Sequence, residues 1–184
     1  MSTEYYYFAA SLPMLMPDDI QGMRADTYLS ACEVQLSGKD FDGLNAATLG
    51  TEELSWHSTT RAWQQHDCEV RNHLAVLRAG KLGVDAAPNI RPDAGASSVG
   101  ESIRSLFEND SPLNAEEALF DLHWRFLDQL VSGHLFDLDF LIVYYLKVQL
   151  LERQQGFDYE KGREVLDTVR SGLAPYESFT ELVT

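Results

Sequence analysis

The chain has 184 residues, with 14 Lys+Arg against 29 Asp+Glu and a formal charge of −15. An apolar fraction of 45% can fill a sizeable core, which excludes wholesale disorder. The acidic excess argues against a nucleic-acid surface, which needs Lys and Arg to displace counterions, and against docking on anionic lipid heads.

The opening stretch MSTEYYYFAASLPMLMPDDI has no basic n-region and carries Glu4, so it reads poorly as a secretory leader. Its aromatics, around residues 5–12, fit either an extended piece or the start of a helix. Tyr5, Tyr6 and Tyr7 are accordingly either a packed first element or an exposed aromatic patch for docking. Tyr28, Leu29, Cys32 and Leu36 then recur at helical spacing, with Asp26 placed to cap the N-terminus. Trp56, Trp63, Val70, Leu74 and Leu77 follow at spacings of 7, 7, 4 and 3. They predict one long helix, or two in line, over residues 51–80, ending near Gly80 or Gly83.

Residues 84–98, VDAAPNIRPDAGASS, are the one clear break in composition and read as an exposed loop. The expectation is a single helical domain over 1–184, with possible sub-bundles 1–83 and 99–184 on either side of that loop. A short helix is predicted at 98–107. Asn114 and Glu117 make an approximate capping box for a stripe of Ala115, Leu119, Leu122, Phe126 and Leu130, ending near Gly133. From 137 to about 154 the chain is apolar nearly all round, which predicts a central, buried helix. Asp137, Asp139 and Lys147 interrupt that run, and it is shorter than the roughly 20 apolar residues that span a bilayer. A last helix, about 158–171, carries Tyr159, Val165, Leu166 and Val169. The fold class is all-α, a bundle of six or seven helices.

Chemistry is thin along this scaffold. There is no GxxxxGK[ST], no GxGxxG and no GxSxG. Cys32 and Cys68 are far apart without CxxC spacing, so neither a zinc knuckle nor a redox pair is indicated, and a reducing cytoplasm is the expected compartment. The densest polar stretch is His66-Asp67-Cys68-Glu69-Val70-Arg71-Asn72-His73. His66, Glu69 and His73 have helical spacing that could face a metal, yet the Glu-x-x-His order of carboxylate bundles is missing, and a solvated face with i,i+4 pairs is the better reading. Arg71 and Asn72, with Glu69, suit a structural role, tying the helix to backbone carbonyls of a neighbour. Tyr144 and Tyr145 read as core residues whose hydroxyls find partners. His57, His123 and His134 stand alone, each expected to be a satisfied or solvent-facing side chain. No nucleophile is paired with a base, so neither an enzyme nor a cofactor is indicated.

Two segments carry a family resemblance. The opening YYYFAASLP, residues 5–13, resembles the start of an uncharacterised bacterial family encoded beside subunits of the V/A-type ATPase. The segment 137–153, DLDFLIVYYLKVQLLER, is similar to a later helix of that family and to a helix of the C-type (in eukaryotes d-type) subunit of the V-type ATPase central stalk. Glu69-Val70-Arg71-Asn72 is similar to the Glu-x-Arg-Asn signature of that stalk protein, whose polar side chains fasten helices together. The resemblance implies a fold like that of the stalk protein, no catalysis, and ATPase subunits as partners in proton or sodium transport. The chain would sit between rotor shaft and membrane ring and would not enter the bilayer. Residues 175–178, PYES, resemble the Pro-x-Glu-Ser element of all-helical chaperones for redox enzymes and twin-arginine signal peptides. That is the competing reading.

Overall fold

Helical spacing of the apolar residues governs the chain, and its computed structural model is all-helical among the described residues, with no strand. Those residues are 5–18, 23–50, 55–91, 100, 103–104, 112–156 and 159–173. They form α1 (Tyr6–Ser11), α2 (Ala25–Gln35), α3 (Gly38–Asn45), α4 (Ser58–Leu82), a 3₁₀ turn (Ala87–Asn89), α5 (Pro112–Leu130), α6 (Leu138–Gln155) and α7 (Tyr159–Leu173). Contacts divide the chain into two compact units, Met1–Glu152 and Arg153–Thr184. No helix among the described residues is long and apolar enough to cross a membrane.

The first unit is built around α6. Ten of its side chains are buried, among them Leu141, Ile142 and Leu146 with no exposed surface. Each such side chain contributes about 1.5–3 kcal/mol through the water it leaves, so this one helix carries much of the core. Asp137 starts the helix by accepting the Phe140 N–H at 3.1 Å. Tyr28 of α2 lies against it, donating its hydroxyl to the Leu141 carbonyl at 2.9 Å, its ring 5.0 Å from that of Tyr144 and 5.8 Å from that of Tyr145.

Several starts differ from the sequence expectation. α2 begins at Ala25, so Asp26 falls inside the first turn and does not cap it. The Ala25 N–H donates instead to Glu152 Oε1 at 3.0 Å, from a residue 127 positions away. α4 begins at Ser58: Ser55 precedes it, donating its N–H to Gln64 Oε1 and accepting both Nε and Nη2 of Arg61 on its carbonyl. Trp56 is thereby off the helical stripe and half-exposed, under the Lys39 ammonium at 5.0 Å from the ring centre. The far end of α4 does stop at Gly83, whose φ of +67° supplies the left-handed residue that closes a helix. Residues 51–54 of the expected start lie outside the described residues.

α5 begins at Pro112, which suits a first turn that needs no proline N–H, and this places Asn114 and Glu117 inside the helix and not at a capping box. Its buried residues are His123, Trp124 and Leu127, while Leu119, Leu122, Phe126 and Leu130 are not fully buried. Phe126 and Leu130 of the expected stripe do pack against the core, partly buried, and Leu127 with the His123 and Trp124 rings widens that face. The short helix expected at 98–107 falls mostly outside the described residues; Gly100, Ile103 and Arg104 within it are helical, and Ile103 is fully buried. α3, capped by Ser37 through the Asp40 N–H at 3.3 Å, has no counterpart among the elements the spacing predicts. In the second unit, α7 exposes Val165, Leu166 and Val169.

Candidate functional site

The three opening tyrosines diverge. Tyr5 points inward: its N–H donates to the Phe136 carbonyl at 2.5 Å, and its hydroxyl donates to Asp40 Oδ2 at 2.5 Å while accepting the Ser37 N–H. Burial, followed by the Asp40 hydrogen bond, raises its pKa above the ordinary tyrosine value. Tyr6 is half-exposed with its ring 4.3 Å from Phe136, and Tyr7 is 90% exposed. Tyr5 is thus packed, while Tyr6 and Tyr7 keep exposed ring surface, since consecutive residues here face different ways.

Beyond α1 the chain runs back along α6. Tyr144 donates its hydroxyl to the Pro13 carbonyl at 3.0 Å, and its ring lies 6.2 Å from Phe140. Tyr145 is buried beside Tyr28 and its pKa is raised, chiefly by that burial. A groove of about 330 Å³ opens between residues 12–15 and a surface formed by Val131, Phe140, Val143, Tyr144 and Lys147. Lys147 is engaged on its rim, 2.5 Å from Asp128 and 4.7 Å from the centre of the Trp124 ring.

The polar stretch of α4 is not a solvated face. His66 is 5% exposed and Glu69 8%, and Asp67, Cys68, Arg71, Asn72 and His73 are half-buried. One i,i+4 pair is present, Arg71 Nε to Asp67 Oδ2 at 2.8 Å. Glu69, Arg71 and Asn72 do not converge. Glu69 turns into the protein, whereas the Arg71 guanidinium lies so close to Gly50 that a Cβ there would sit 2.7 Å from Nη2. Asn72 clasps the backbone after the 3₁₀ turn: its Nδ2 donates to the Arg91 carbonyl at 2.8 Å and its Oδ1 accepts the Arg91 N–H at 2.9 Å.

His66 and His73 do not share a site either. His66 stacks on Phe126 with ring centres 3.8 Å apart, edge-on to His123 at 5.3 Å and near Trp63 at 6.0 Å. His73 instead lies against Gly100. Burial lowers the His66 pKa to about 4, so the ring is neutral at pH 7, and its Nε2 has no hydrogen-bond partner. His123 is likewise buried and not solvent-facing.

Among the described residues, one triple of metal-ligand types gathers, His134, Asp137 and Asp139, with ligand atoms within 4.8 Å of one another. One nitrogen and two carboxylate oxygens are a donor set for a divalent ion. Each carboxylate already has a structural task. Asp137 starts α6 and sits 2.5 Å from His134 Nδ1, while Asp139 accepts the Thr59 hydroxyl. The hydrogen bond to Asp137 raises the His134 pKa. His134 is therefore not isolated. Its spacing from the two aspartates, H-x-x-D-x-D, was the available signal.

Residues 101–173, less than half of the chain, match the model of a family described as a protein of unknown function (DUF2764). No curated protein matches the chain, and no solved structure matches it.

Proposed function

We propose that this chain is a non-catalytic, protein-binding component of a V/A-type ATPase, of the kind of the C-type central-stalk protein, working at the cytoplasmic face without entering the bilayer. The observation that carries the reading is the segment 137–153: the stretch similar to the stalk protein is the helix on which the first unit is built. The exposed Tyr6 and Tyr7 add the kind of surface a docking protein needs. The acidic coat keeps such a protein in solution and off anionic lipid.

The test is co-purification. The tagged chain, expressed in a cell that encodes the ATPase, is expected to bring down stalk or ring subunits and to bind them when each is purified. Absence of every ATPase subunit in both assays would sink the reading. Capture of a signal-peptide-bearing reductase in their place would support the chaperone.

A further inference from the structure

The turn that leads into α6 gathers three ligand-type side chains, His134, Asp137 and Asp139, with donor atoms within 4.8 Å of one another. Gly133, at φ +90°, turns the chain after α5, and His134 follows it. Asp137 and Asp139 flank Leu138, the first residue of α6. Acids at a helix start ordinarily serve the positive end of the helix dipole. The dipole does not account for how their oxygens are directed. Each aspartate gives one oxygen, Oδ1, to the scaffold: Asp137 accepts the Phe140 N–H, and Asp139 accepts the hydroxyl of Thr59, a buried residue of α4. The other oxygen of each, Oδ2, faces the same His134 Nδ1, at 2.5 Å and 3.7 Å.

The charges here do not balance. Among the described residues neither carboxylate pairs with a Lys or Arg, so two negative charges share one imidazole. The unit that holds them, Met1–Glu152, has 10 Lys+Arg against 23 Asp+Glu, 10 − 23 = −13, a field that draws cations. The three side chains are 38%, 22% and 24% exposed, so an ion can enter and water can reach it.

We propose that His134 Nδ1, Asp137 Oδ2 and Asp139 Oδ2 bind one divalent transition-metal ion, zinc by preference, with water completing its shell. Donors held about 2.0–2.2 Å from such an ion stand about 3.0–3.5 Å apart. The metal therefore takes the place of the proton between Nδ1 and the Asp137 oxygen, and those two atoms part by about 0.5–1 Å. The Phe140 N–H and the Thr59 hydroxyl are the outer-shell bonds that keep ligating carboxylates in orientation. An imidazole nitrogen with only two carboxylates favours zinc over calcium and magnesium, hard ions that take oxygen ligands in number. The bound ion joins the turn to the start of α6 and, through Asp139 and Thr59, to α4. The inference does not depend on which assembly the chain joins.

The experiment is calorimetric titration of the full chain, stripped with EDTA and dialysed, against ZnCl2 and CaCl2. One Zn²⁺ per chain is expected, with Ca²⁺ about tenfold weaker or more. Asp137→Asn keeps a residue that caps a helix as well as aspartate does, while replacing the ligand oxygen. His134→Gln removes the ligand nitrogen at a partly exposed position. Each should weaken Zn²⁺ about tenfold or more, with the melting temperature of the metal-free chain nearly unchanged. Asp26→Asn, an exposed acid on α2, should leave the affinity as it is. Zn²⁺ should raise the melting temperature of the natural chain and not that of His134→Gln. Absence of Zn²⁺ binding, equal binding of Ca²⁺, or Zn²⁺ binding that survives both substitutions overturns the proposal. If Asp137→Asn itself loosens the metal-free fold, His134→Gln decides. Co-purification with ATPase subunits bears on none of these outcomes.

Discussion

Lowering the pH tests the buried imidazole on α4. His66 is 5% exposed, stacked on Phe126, with a pKa lowered to about 4 from the ordinary 6.5 by burial. In the unfolded chain the ring protonates near pH 6.5, whereas in the folded chain it stays neutral until about pH 4. Between these values the unfolded state binds the extra proton, so stability rises with pH there and falls as acid is added. From the two pKa values, His66 alone costs about 2 kcal/mol between pH 7 and pH 5, and about 3 kcal/mol by pH 4. Below that the loss levels off, since both states are protonated. The assay is urea denaturation at pH 7, 6, 5 and 4.5, compared between the natural chain and His66→Leu. The numerous carboxylates titrate in both proteins, so the difference between the two curves isolates His66. The natural chain should lose about 2 kcal/mol more than the variant from pH 7 to pH 5. If the two lose stability in parallel, the ring is not held neutral by burial and the reasoning fails.

Three further perturbations probe the scaffold. Leu141→Ala, at a fully buried position of α6, should cost about 2–5 kcal/mol, read as a lower denaturation midpoint; a loss under about 1 kcal/mol would mean α6 is not the core helix. Glu152→Ala leaves the first N–H of α2 without its partner and should cost about 0.5–2 kcal/mol, whereas Asp26→Ala should cost less, because its carboxylate bonds only its neighbours. Asn72→Ala removes both the donor to the Arg91 carbonyl and the acceptor of the Arg91 N–H, and hydrogen exchange at the Arg91 amide should speed up with little change in global stability. Unchanged exchange there would show that the clasp does not hold the segment after the 3₁₀ turn.

The amino-acid sequence by itself determined what depends on local spacing and composition. The all-helical class, the buried character of residues 138–151 and the stop of α4 at Gly83 follow from side-chain period, apolar content and glycine's access to positive φ. None of these needs a distant partner. Where a helix starts, and which of its faces is inside, depended on residues far along the chain. Ala25 is capped from Glu152, and α5 turns His123 and Trp124 inward to meet Trp63, His66 and Lys147. The same holds for the candidate site. Tyr144 is legible as a core residue with a bonded hydroxyl, but that its partner is Pro13, and that the returning segment leaves a groove, is a matter of tertiary packing. His66 reads as solvated because a histidine among charged neighbours looks like surface; three aromatic rings from two helices bury it. Local periodicity names the elements, and long-range contact decides which polar groups leave water, because desolvation depends on everything that surrounds a side chain and not on its sequence neighbours.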